Sequence, residues 1–210
     1  MLNVCFKCGI YRADKIIDPT GPYAICPECG HSHPFIYLPL LIISGASGTA
    51  KSSVCNHLVG HYQDAVLLDS DILWRDEYNN PKENYREYFE TWLRVSKNIS
   101  QSGRPVVLFG AGFGVPENIE GCIERRYFSS IRYLALVSSD EILAERLEHR
   151  PAWRGTKNLE FIQEHQRFNQ WFINYNKNKH QPPITLVDSS RRSLGETAKE
   201  VEDWIRKNQR

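Results

Sequence analysis

The sequence predicts a three-layer α/β domain built on a parallel sheet, preceded by a small cysteine-rich module. Three observations carry that expectation. Short apolar runs with strand character alternate with segments of helical periodicity from residue 38 onward. The first of those runs closes on a glycine-rich turn that leads into a helix. Four of the six cysteines stand as two C-x2-C pairs before residue 30. At 210 residues the chain suits one domain of ordinary size plus an appendage, with expected bounds of 1–37 and 38–210. Hydrophobic residues make up 41% and charged residues 24%, so disorder and coiled coil are disfavoured. The net charge of +1 excludes a chain-wide basic surface, though not a local basic groove. The longest apolar stretch, Phe35 to Ile43, carries Pro39 and falls short of the roughly 20 residues that a membrane span needs. Residues Met1 to Cys5 lack a signal-peptide pattern, so a soluble cytoplasmic protein with no membrane partner is expected.

The cysteine module comes first in the chain. Cys5-Phe6-Lys7-Cys8 and Cys26-Pro27-Glu28-Cys29 are separated by 17 residues, the spacing of a structural zinc site. Each turn brings two thiolates to one ion, and a hairpin between the turns supplies the second pair. Gly9 and Gly30 each follow the second cysteine of a pair, where a tight turn often demands positive φ. Two disulfides are the alternative, but a cytosolic chain does not normally keep them. His31 and His33 are substitutes for a ligand or decoration on the knuckle. The segment resembles a zinc ribbon, and Zn²⁺ would then supply the folding energy of a module too small for a core of its own. Its balanced charges weaken a nucleic-acid reading. Cys55 and Cys122 read as buried small hydrophobes.

Leu38 to Ile43 is a continuous apolar run, the signature of a buried parallel strand, and a helix is expected from Lys51 to about Val59. Between them lies Gly45-Ala46-Ser47-Gly48-Thr49-Ala50-Lys51-Ser52-Ser53. In a phosphate loop the backbone N–H groups cradle the β-phosphate, Lys51 bridges the β- and γ-phosphates, and the Ser52 hydroxyl ligates Mg²⁺. Ala50 stands where the pattern G-x-x-x-x-G-K-[ST] has its second glycine, which is tolerable at negative φ. The bland alternative is a Gly/Ser-rich turn with an incidental lysine. Ile43 to Gly48 followed by Lys51-Ser52-Ser53 resembles the small P-loop kinases, a superfamily that includes gluconate, adenylylsulfate, nucleotide and polynucleotide 5′-kinases. The resemblance covers about residues 38–210. It implies a P-loop NTPase sandwich, a five-stranded parallel sheet in the order 2-3-1-4-5, and ATP with Mg²⁺ as cofactors.

The second strand is expected at Ala65–Asp69, and Asp69-Ser70-Asp71-Ile72-Leu73-Trp74-Arg75 follows at its carboxyl end. There a carboxylate can take or orient the proton of an acceptor hydroxyl, a role for Asp71, and Arg75 can hold a polar or anionic part of the acceptor. This pair resembles the acidic and basic pair of adenylylsulfate and polynucleotide kinases at a different spacing. Asp69 reads as an outer Mg²⁺ partner. Helix capping by Asp69, Ser70 or Asp71 is the alternative. Apolar residues at helical spacing predict a helix from Glu83 to about Gln101, stopped by Gly103 and Pro105.

Val106–Phe109 is the third strand. The glycines after it, Gly112 among them, allow a ligand close to the backbone or simply make a flexible turn. The acidic residue that kinases often carry at this strand's end is absent. The fourth strand is Ile131–Val137, followed by a helix from Asp140 to His149 with Ser138 or Ser139 as its cap. Arg146, Arg150 and Arg154 flank a helix break at Pro151, which resembles the arginine-bearing lid of small kinases; a solvated basic face is the alternative. A helix over 158–176, a strand at Ile184–Asp188 and a helix from Ser193 to Lys207 complete the pattern. By the resemblance, the loop with Arg192 borders the donor adenine. Trp74 and Trp153, between charged residues in loops, are candidates for stacking on a base or sugar.

Together these residues point to a kinase that moves the γ-phosphoryl of Mg-ATP to a small-molecule acceptor, a nucleoside or nucleotide first. A polynucleotide-directed kinase or ATPase is the runner-up and requires a basic groove. A non-catalytic nucleotide switch is a third possibility, supported by Ala50 and the missing carboxylate.

Overall fold

The computed structural model describes residues 2–151, 153 and 155–209. Near the amino terminus, three short strands form an antiparallel sheet: β1 (Ile16–Asp18), β2 (Tyr23–Ile25) and β3 (Ser32–Pro34). The second sheet has five parallel strands: β4 (Leu40–Ser44), β5 (Val66–Asp69), β6 (Val106–Phe109), β7 (Ile131–Val137) and β8 (Ile184–Asp188). Their spatial order is β5-β6-β4-β7-β8, the 2-3-1-4-5 order that the sequence implied.

The helices between and after these strands are α1 (Lys51–Leu58), α2 (Arg86–Ser100), α3 (Pro116–Glu120), α4 (Asp140–Glu148), α5 (Leu159–Lys177) and α6 (Leu194–Asn208). The three layers follow from the two-residue period of the strands. On β4, Leu40 and Ile42 join Trp92 of α2 and Phe172 of α5 in one core. Leu41 and Ile43 face the other way, onto Val54 of α1 and Val201 of α6. Every residue of β4 is buried because both faces of the sheet are covered.

Local chemistry sets the helix ends. Ser139, one of the two serines offered, accepts from the N–H of Ile142 and starts α4; Asn158 does the same for Phe161 and α5. Ser193 and Glu196 form a reciprocal capping box on α6. One helix begins later than its periodicity predicts. Pro81–Glu83 makes a 3₁₀ turn, and Asn84 and Tyr85 then take φ of 49° and 54°, so α2 starts only at Arg86. None of the described helices is long and apolar enough to cross a membrane.

The small sheet docks on α2 and the segment before β7. Leu2, Ala24, Phe35 and Tyr127 share an apolar cluster, and the Tyr127 hydroxyl donates to Ala13 O at 2.7 Å. The centre of the contact is ionic. Lys97 of α2 and Glu124 are both fully buried and paired. Lys97 also donates to Asn3 Oδ1 at 2.5 Å and lies over the Tyr127 ring at 4.0 Å, while Asn3 donates to Glu124 at 3.0 Å. Desolvation pulls the Lys97 ammonium below its usual range, and the Glu124 charge opposes that. A buried ion pair contributes little net stability, but removing one partner strands the other charge. Glu124→Ala is therefore expected to cost about 3–5 kcal/mol and to lower the melting temperature by roughly 10 °C in a thermal melt. A shift of only a degree or two would show that water reaches Lys97.

Candidate active site

The site lies at the carboxyl edge of the parallel sheet, where β4 turns into α1. The backbone there is crowded. Gly45 has φ of 139°, and a Cβ on it would meet Leu136 O at 2.3 Å and Thr49 Oγ1 at 2.6 Å, so only glycine fits. Thr49 Oγ1 donates to Ala46 O at 2.9 Å and closes the loop on itself. Ala50 does not take the negative φ expected for a residue bearing a methyl group. It sits left-handed at φ 74°, immediately before the first residue of α1. The loop demands the glycine geometry even with alanine present.

Lys51 folds back and donates to Gly45 O at 2.6 Å and Ala46 O at 2.8 Å. Burial, and next the neighbouring Arg150 charge, hold its ammonium down to about 8; Asp71 and Asp69 oppose the shift. A cavity of about 490 Å³ opens above the loop. Among its lining residues are Ser47, Lys51, Ser52, Asp69, Asp71 and Arg150. The fold thus gathers residues from the ends of β4 and β5 and from the segment after α4 around one space. Asp69 Oδ1 accepts from the Asp71 N–H at 3.0 Å, so the capping role is present. Tyr88 Oη and Trp92 Nε1 both donate to Ser70 O, at 2.6 and 3.2 Å, and fix this turn between the two carboxylates.

Other expected residues occupy separate places. Gly112 lines an adjoining recess with Asp71, and Ala111 borders both spaces. Arg75 lines neither. Its Nε is 3.8 Å from Glu77 and its guanidinium lies 4.9 Å from the Tyr78 ring centre. Arg192 is paired with Glu200 and borders a third space, about 320 Å³, shared with Gly48, Ser53 and Arg150. Arg154 lies outside the described residues. Trp153 borders the main cavity and is 80% exposed.

Kinases of low sequence identity are among the solved structures that match. A sugar kinase from Janibacter sp. is 12% identical with a TM-score of 0.54, over 82% of this chain and 95% of that one. A gluconokinase from Sinorhizobium meliloti is 17% identical with a TM-score of 0.54, over 80% of this chain and 92% of that one. A deoxyadenosine kinase from M. mycoides with bound dATP is 12% identical with a TM-score of 0.51, over 80% of this chain and 99% of that one. The chain has the P-loop kinase fold. No protein-family model matches it, and no curated protein does.

Two residues of this P-loop kinase fold escaped the sequence reading. Spacing alone groups Arg146 with Arg150 and Arg154. Its guanidinium instead donates to Ser189 O at 2.6 Å, Ser189 Oγ at 3.1 Å and Gly48 O at 3.3 Å, which clamps the phosphate loop to the loop after β8. His165 stands on α5, within the helix expected over 158–176. Its Nδ1 accepts from the Ser47 N–H at 3.3 Å, and burial pushes the imidazole pKa below its usual value. The one available signal was a polar residue within an otherwise aromatic stripe.

In the small sheet the ligand atoms of Cys5, Cys8, Cys26 and Cys29 all lie within 4.8 Å of one another. All four are free thiols, which rules out the disulfide alternative in this structure. His31 and His33 stay outside the cluster; His33 packs edge-on against Phe6 and His31. Lys15 is fully buried nearby, and the four cysteine charges oppose the lowering of its pKa by burial. Four thiolates with a buried cation at hand suit a soft divalent metal.

The geometry of Ala50 gives a stability test. A left-handed non-glycine residue costs roughly 1 kcal/mol, about what glycine loses in entropy elsewhere. Ala50→Gly is expected to leave stability unchanged or raise it by up to about 1 kcal/mol in denaturant unfolding. A loss of more than 1 kcal/mol would contradict the left-handed assignment.

Proposed function

We propose that this protein is an ATP-dependent phosphotransferase. It moves the γ-phosphoryl of Mg-ATP to a hydroxyl or phosphate of a small molecule, with a nucleoside or nucleotide favoured as acceptor. The observation that carries the reading is the shared cavity, where a phosphate loop, two strand-end carboxylates and an arginine converge. The kinase fold of the matching structures supports it.

In this reading the triphosphate lies on the N–H groups of residues 45–53, at the positive end of α1. Lys51 leaves the carbonyls of Gly45 and Ala46 for the β- and γ-phosphates, and a polyanion there raises its depressed pKa. Mg²⁺, when bound, neutralises charge on the β- and γ-oxygens; Ser52 and Asp69 would hold it, and both border the cavity. Asp71 accepts the proton of the acceptor hydroxyl as the new O–P bond forms and the bond to the leaving ADP oxygen breaks. Arg150 and Arg154 would stabilise charge on the transferring oxygens, and Arg192 would border the adenine. Gly112 admits the acceptor close to the backbone. Arg75 serves the acceptor only if it leaves Glu77 and Tyr78.

The chain divides in this proposal into a zinc ribbon, 1–37, and a kinase domain, 38–210. Zn²⁺ is the metal assigned to Cys5, Cys8, Cys26 and Cys29, because four tetrahedral thiolates suit its structural sites.

Two measurements test these assignments. Labelled γ-phosphate from Mg-ATP is expected to reach an acceptor, and Lys51→Ala is expected to lower that turnover by at least a hundredfold (about 2.7 kcal/mol of transition-state stabilisation). Acceptor-independent ATP binding without any transfer would favour the nucleotide switch. Elemental analysis of the purified chain is expected to find one equivalent of zinc, lost in Cys26→Ser. A metal-free wild-type protein that melts normally would refute the zinc assignment.

A further inference from the structure

The cysteine module buries a charge that no carboxylate answers. Lys15 is fully buried, so its ammonium does not reach water at the end of an apolar stem as surface lysines do. Among the described residues the ammonium meets one acceptor, Val4 O at 3.3 Å, and forms no ion pair. The carboxylates closest at hand are engaged. Asp14, beside it in sequence, takes two hydrogen bonds from Arg12, at 2.8 and 2.6 Å. Glu124 is held by Lys97, by Arg94 Nε at 2.9 Å and by Asn3 at 3.0 Å. A buried ammonium is costly and persists only beside an opposite charge.

The backbone places Lys15 between the two cysteine pairs. Val4, whose carbonyl it bonds, immediately precedes Cys5. On the other side, β1 pairs with β2 so that Ile16 stands opposite Ile25. One step further out, Lys15 stands opposite Cys26, and residues opposed in an antiparallel pair share a face. Cys5 and Cys26 are the buried members of the four; Cys8 is exposed and Cys29 half-buried. The ammonium therefore stands on the buried side of the cluster. The segment is also pinned there, because Lys15 O accepts from Arg126 Nη1 at 3.2 Å and Ala13 O from Tyr127 Oη at 2.7 Å. Burial lowers the Lys15 pKa, and the charges of all four cysteines oppose that.

Four thiolates around a divalent ion leave the centre with two negative charges, which its buried side cannot shed to water. We propose that Lys15 is the built-in counter-charge of this metal centre: it offsets part of that negative charge and so raises the affinity of the four cysteines for a divalent ion. The inference rests on the zinc assignment above and extends it to a residue outside the ligand set.

The test uses the full chain. Lys15→Met keeps the length and the apolar stem and removes the charge. Lys7→Met is the control, at an exposed lysine between Cys5 and Cys8. Zinc affinity is read by competition with a chromophoric chelator. Lys15→Met is expected to weaken zinc binding by about tenfold or more, and Lys7→Met by less than about threefold. The Lys15→Met loss is expected to persist at high salt, since a buried charge is poorly screened. Lys15→Arg keeps the charge and is expected to retain more zinc affinity than Lys15→Met. Thermal melts separate charge from packing: with zinc chelated, Lys15→Met is expected to melt no lower than the wild type. Unchanged zinc affinity in Lys15→Met would overturn the inference and leave the zinc assignment standing. So would an equal loss in Lys7→Met, a Lys15→Arg no better than Lys15→Met, or a lowered metal-free melting temperature. A wild-type chain that binds no zinc would overturn both.

Discussion

The turn from β4 into α1 leaves almost no room for side chains, and much of the molecule is arranged around that constraint. A phosphate loop works only if its backbone comes close enough to a ligand for N–H groups to bind it. Gly45 meets that demand against Leu136 O, and Ala50 accepts a left-handed conformation to meet it. The sheet supplies the rigidity. β4 is hydrogen-bonded to β6 on one side and β7 on the other, and both of its faces are buried. Ser44, at its end, donates to Ala111 O at 2.5 Å, so the loop after β6 is fixed to the base of the phosphate loop. Arg146 completes the frame from the far side by gripping Gly48 O and Ser189 O.

The recess beside Asp71 follows a different logic. It is built from aromatic side chains and from a turn that two buried donors, Tyr88 and Trp92, hold by a single carbonyl, Ser70 O. Both donors stand on α2, on the same face and four residues apart, so the helix sets the position of the strand-end carboxylates. The left-handed pair Asn84 and Tyr85 delays α2 and brings a ring to the recess instead of a further helical turn. The Tyr85 ring also packs against the core that Phe89, Trp92 and Phe113 build, so the turn serves the core and the recess together.

Much of this fold was legible in the residues. Each of the five strands of the parallel sheet falls within two residues of its expected bounds, because continuous apolar runs mark strands covered on both faces. The capping serine of α4 and the paired cysteines announced themselves by residue type and spacing. What could not be read were conformations and partners set by contacts distant in sequence. Ala50 looked compatible with negative φ because its methyl group says nothing of the loop's demand. Arg146 and Arg150 share a four-residue spacing, yet one is a clamp on Ser189 and the other borders the cavity, a difference decided by a loop some 40 residues away. His165 was invisible for the same reason, since its partner Ser47 stands 118 residues earlier.

The cysteine module and the recess beside Asp71 meet through one helix. Lys97 lies near the carboxyl end of α2 and reaches Asn3 and Glu124, while Tyr88 and Trp92 nearer its start hold the turn that bears Asp71. A helix is stiff over such a distance, about 1.5 Å of rise for each residue. Anchoring its far end by a buried charge pair restricts how its near end can tilt. Apolar contact alone would leave some freedom to slide, whereas an ion pair with shared hydrogen bonds to Asn3 has one good arrangement. The four-thiol cluster orders the chain around Asn3 through Cys5, two residues away and hydrogen-bonded from its own N–H to Ile10 O at 2.9 Å. The cysteine module, the buried ion pair and the turn that bears Asp71 are thus joined by contacts at the two ends of one helix.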